Sequence, residues 1–64
     1  MEQKFIVVID YKKSGIHCYP YYLYENALSC YQSHLEDDDI LLSVSLMKIE
    51  GVGDFITLMS KTWR

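Results

Sequence analysis

The 64-residue chain predicts an α+β fold: a four-stranded antiparallel sheet with one helix packed on one face, in the order β-β-α-β-β. Three observations predict it. Four segments carry the β-branched and aromatic composition, or the alternation, of strands. They fall into two pairs, each joined by a short glycine-bearing connection of hairpin length. Between the pairs lies one segment with the i, i+3, i+4, i+7 spacing of an amphipathic helix. There is no internal linker, low-complexity tract or repeat, so residues 1–64 are read as one domain.

Residues 4–11, Lys-Phe-Ile-Val-Val-Ile-Asp-Tyr, form the first predicted strand. Phe5, Val7, Ile9 and Tyr11 fall on one face, and Ile6, Val8 and Asp10 on the other. Both faces are apolar, as in a strand covered on two sides. Lys12-Lys13-Ser14-Gly15 supplies the turn, and residues 16–22 the second strand. Pro20 cannot donate to a ladder, which places this strand at an edge.

Tyr24, Ala27, Leu28, Tyr31 and Leu35 make one helical stripe, so the helix is expected over 24–36. Glu25 suits the positive end of the helix dipole, whereas the run Glu36-Asp37-Asp38-Asp39 opposes its negative end and stops the helix. Residues 40–50 form the third strand, with Leu42, Val44 and Leu46 alternating against Leu41, Ser43, Ser45, Met47 and Ile49. Gly51-Val52-Gly53-Asp54 turns the chain into a fourth strand over 55–63. There Phe55, Thr57, Met59, Lys61 and Trp63 are expected on one face, opposite Ile56, Leu58, Ser60 and Thr62. Strands one and three are expected in the centre of the sheet.

Half of the residues are apolar and 23% are charged, a globular balance, and the net charge of −3 disfavours nucleic-acid and membrane partners. No apolar run reaches the ~18 residues of a membrane span. The start Met1-Glu2-Gln3-Lys4 enters a strand at once without the pattern of a signal peptide, so a cytoplasmic location is expected. Two cysteines are too few for a disulfide framework, and Cys18 and Cys30 read as free thiols.

One helix of about three turns covers one face of a four-stranded sheet. The strands are apolar on both, so an exposed patch is expected, matched by a homodimer or a larger protein partner. Tyr19, Tyr21 and Tyr22 crowd around Pro20, and with Trp63 they are the expected contact residues, since aromatic side chains anchor interfaces. Asp37, Asp38 and Asp39 are expected to steer a basic partner. Two alternatives stay open. Tyr19 and Tyr21 could stack on single-stranded nucleic acid with Lys12 and Lys13 meeting phosphates. Cys30 and His34, four apart on a helix, could join His17 or Cys18 in a metal or thiol site, but no CxxC is present. No cofactor is expected. Gly51-Val52-Gly53 precedes a strand and is no phosphate loop, and no serine sits in a nucleophile elbow, so no enzyme and no catalytic residue are expected.

The opening Phe5-Ile6-Val7-Val8-Ile9, the helix start Glu25-Asn26-Ala27-Leu28 and the segment Val44-Ser45-Leu46-Met47-Lys48-Ile49 resemble small single-domain accessory proteins of bacteria and their phages. That resemblance implies a protein that works by binding, with some members inhibiting a host protein. It carries no functional residue with it.

Overall fold

The computed structural model describes residues 4–37 and 39–63. The element order is β1 (Phe5–Tyr11), β2 (Gly15–Tyr21), α1 (Tyr24–His34), β3 (Leu41–Gly51) and β4 (Asp54–Thr62). All strand pairs are antiparallel, in the spatial order β2-β1-β3-β4. The α+β class and the β-β-α-β-β order are those the sequence predicts. The most apolar strand, β1, lies in the centre beside β3, and Pro20 falls on the edge strand β2 opposite Ile6. There an absent N–H is tolerated.

Both hairpins turn on a glycine in the left-handed region, Gly15 at φ 83° and Gly53 at φ 80°. Side chains with a Cβ rarely adopt that conformation, which is why each turn holds a glycine at this place. The helix begins after Leu23, which offers no side-chain cap, and it ends at His34, two residues short of the expected Glu36. The Leu35 N–H closes the last turn on the Gln32 carbonyl at 3.2 Å.

The core lies between α1 and one face of the sheet. It consists of Val7 and Ile9 from β1, Ala27 and Tyr31 from α1, and Leu41, Val44 and Leu46 from β3. Burying each aliphatic side chain of this size contributes roughly 1.5–3 kcal/mol. Phe5, Tyr11, Tyr21, Leu28, Leu35, Met59 and Trp63 close the rim. Among the described residues, α1 packs over β1, β2 and β3 and does not reach β4.

Two β-bulges correct the expected alternation. Tyr11 pairs with Leu41 while Asp10 pairs with Ser43, so Leu42 is an extra residue in β3. Leu41 therefore joins Val44 and Leu46 in the core, and Leu42 is left 42% exposed, the reverse of simple period-two spacing. In β4, Met59 opposes Leu46 and Thr57 opposes Met47, so Leu58 is the extra residue. Phe55 and Thr57 thus lie on the face away from the helix, while Met59 and Lys61 lie on the helix side, and the single face expected for all of them is split.

Candidate functional site

The expected contact residues gather on the helix side of the sheet. Tyr19 and Tyr21 oppose Val7 and Phe5 across the β1–β2 ladder, so they share the face that α1 covers. Tyr21 packs half-buried against the core. The neighbouring Cys30 thiol, and burial after it, push its hydroxyl up to about 12. Tyr19 keeps 38% of its surface exposed and stacks on His34, ring centres 6.3 Å apart and planes 25° apart. Tyr11 meets His17 edge-on at 5.1 Å. Burial, then the Tyr19 hydroxyl, raises the Tyr11 pKa above its ordinary value.

Beyond the end of β2 the chain turns outward. Tyr22 and Leu23 are 49% and 59% exposed, and with Pro20, Tyr21 and Asn26 they line a shallow apolar hollow at the start of α1. Tyr24 packs edge-on against Phe5 at 5.6 Å. The helix therefore carries an aromatic shoulder at each end: Tyr22 and Tyr24 at its start, and Tyr19 with His34 at its finish.

Asp37 and Asp39 are exposed in the loop after α1, and Asp38 lies outside the described residues. The loop is tied down by its backbone. The Asp37 N–H donates to the His34 carbonyl, and the Ile40 carbonyl accepts from the Lys12 N–H at 2.9 Å. Asp39 then shares a hollow with Lys12, Lys13, Ser14, Tyr11 and Ile40, which sets the acidic loop beside the two lysines of the first turn. Trp63 differs from the other expected anchors. It is half-buried against the core, and its N–H donates to the Leu42 carbonyl at 2.9 Å, so it seals the sheet end.

The Cys–His arrangement is a helix-surface contact. The ring Nδ1–H of His34 donates to the Cys30 carbonyl at 2.7 Å, while the Cys30 sulfur lies 3.8 Å from the same nitrogen. That bond occupies Nδ1, which leaves it unable to serve as a base toward the thiol. His17 is on the helix side and Cys18 is exposed on the other, since its register partner Val8 faces away from the core. Among the described residues, no three His, Cys, Asp or Glu side chains converge on one point. Tyr21 is half-buried, and Tyr19 is exposed beside the His34 ring.

The opposite face of the sheet carries the second set of apolar side chains. Ile6 and Val8 of β1, Met47 and Ile49 of β3, and Phe55 of β4 stand on it, and among the described residues no element covers them. Phe55 is 53% exposed, and Ile16 at the edge is 67% exposed. The signal was present in the second apolar face of β1, but no tyrosine lies among these residues. The tyrosine cluster and this patch lie on opposite faces of the sheet.

Fold and surfaces together define a small α+β domain with an aromatic and acidic helix side and a bare apolar sheet face. No family model matches the chain, and no curated protein or solved structure was found similar to it. Among the described residues no helix is long and apolar enough to cross a membrane.

Proposed function

We propose that this chain is a non-enzymatic protein-binding module that modulates a larger protein, in the manner of the accessory inhibitors its sequence resembles. The observation that carries the reading is the helix-side surface, where Tyr19, Tyr22, Leu23 and Tyr24 stay exposed beside a fixed acidic loop. Rigid aromatic side chains bury large area at low entropic cost, which is what a contact anchor needs. Asp37 and Asp39 add a negative rim that speeds encounter with a basic surface and makes it salt-dependent. Tyr21 supports this surface from beneath, half-buried against the core.

The test is affinity capture from lysate of the source cells, using the chain as it stands and two variants. One variant is Tyr19→Ala with Tyr22→Ala, and the other is Asp37→Asn with Asp39→Asn. A protein retained by the parent, lost with the tyrosine variant and more salt-sensitive than the aspartate variant supports the reading. Equal recovery on all three baits, or none on the parent, overturns it.

A further inference from the structure

We infer that the bare sheet face is covered by a second copy of this chain, packed face to face as a two-fold symmetric sandwich. The inference goes beyond the helix-side reading and does not depend on it. The first ground is surface. The chain exposes 4654 Å², whereas a folded monomer of 7.5 kDa exposes about 4,200 Å². On this face Ile16 and Phe55 are exposed, and among the described residues no element covers Ile6, Val8, Met47 and Ile49 of the two central strands.

The second ground is area. Four strands spaced about 4.8 Å apart, at about 3.3 Å per residue, present a face of roughly 19 by 25 Å. Two such faces pressed together bury about 1,000 Å² in flat projection, and more once side-chain relief is counted, which reaches the range of specific interfaces. Half the face would fall well short. A stable pair therefore needs the whole face of each copy.

The third ground is charge and pattern. Each copy carries a net charge of −3, yet on β1 the sheet face carries Asp10 at one end and, at the other, Lys4, which lines a hollow with Ile49 and Phe55. The two charges stand at opposite ends of the face, so each end brings one charge per copy to the rim of the pair. The face is also divided lengthwise. Its Lys4 end is apolar, with Ile6, Met47, Ile49 and Phe55, and its Asp10 end is lined by the hydroxyls of Ser43, Ser45, Ser60 and Thr62. A two-fold axis parallel to the strands sets apolar half on apolar half and hydroxyl half on hydroxyl half. It lays β1 of each copy over β3 of the other and buries the full face. An axis across the strands would bring Asp10 toward Lys4 of the other copy but press Ile49 onto serine, and exposed ion pairs at the rim offset little of the lost apolar burial.

Sedimentation equilibrium from low to high micromolar concentration tests the pairing, with Met47→Lys as the breaking variant and Tyr22→Ala as the helix-side control. The expected result is a dimer, weakened by about a hundredfold or more by the buried lysine and unchanged by the control. A monomer throughout, or a dimer indifferent to Met47→Lys, overturns the inference. If the lysine variant does not fold, the unmodified chain decides. Cys18 lies on the sheet face and Cys30 on the helix side, so maleimide labelling of Cys18 should slow as concentration rises while that of Cys30 stays constant. Equal behaviour of the two thiols overturns the inference. Loss of lysate capture with an intact dimer would strike the helix-side reading alone.

Discussion

The two faces of this sheet are built from neighbouring residues of the same strands, and they are treated in opposite ways. Val7, Ile9, Val44 and Leu46 are fully buried beneath α1, while Ile6, Val8 and Met47, one residue away in each strand, are only partly buried. The side chains are of the same class and size. What differs is whether an element lies above them, so hydrophobicity alone does not tell which residues hold the monomer together. The helix side carries the stability of the single chain, and the other side carries apolar surface that the single chain cannot use.

The sharpest way to break that contrast is to shorten one residue on each face. Leu46→Ala removes a fully buried side chain and should cost about 3 kcal/mol, most of the stability a domain this small possesses. Urea denaturation should show it largely unfolded before denaturant is added. Met47→Thr, at the adjacent position, should leave the stability of the monomer within about 0.5 kcal/mol of the parent. Comparable losses at the two positions would mean that the sheet folds over its own open face.

The turns come next in size. Alanine at Gly53 must adopt φ 80°, a left-handed conformation costing about 1–2 kcal/mol, although nothing lies within 4 Å of the added methyl. Gly51→Ala, at ordinary φ and with only an Asp54 carboxylate oxygen 3.5 Å away, should cost less. Thermal unfolding of the pair separates backbone strain from crowding, and an equal shift for both would remove strain as the cause.

The smallest effect is alkaline. The Tyr21 hydroxyl titrates near 12 in the folded chain against 10.0 when unperturbed, so folding favours its neutral form. That contribution is complete below pH 10 and is lost as pH climbs from 10 toward 12. Tyr21→Phe should therefore flatten the fall in melting temperature across that window and leave neutral pH little changed. Tyr22→Phe, on the exposed turn, should not, and identical slopes for both variants would refute the assignment.

Much of the framework is legible in the sequence for physical reasons. The odd and even faces of β1, the helical stripe through Ala27 and Tyr31, the glycine turns and the edge position of Pro20 each follow from local geometry. The faces of β3 and β4 are not legible in the same way. A bulge adds one residue to a strand and reverses every later side chain, and neither Leu42 nor Leu58 announces it by composition. The place of the tyrosines is illegible for a related reason. Their side of the sheet depends on which face α1 chooses, and that is decided by packing between distant segments. The bare face was predictable in existence from the double apolar pattern of β1, but its membership hinged on the bulge that turns Phe55 and Thr57 away from Met59.

The position of β1 also governs when the molecule can fold. It is made first and stands in the centre, flanked by β2 close behind it and by β3 more than thirty residues later. During synthesis the β1–β2 hairpin and α1 leave the ribosome while the inner edge of β1 still lacks its partner. Closing that edge requires a long loop, an entropic cost met only when residues 41–48 emerge. Until then an apolar strand with one open edge is on display, and the nascent chain is most prone to pairing with the wrong strand in that interval.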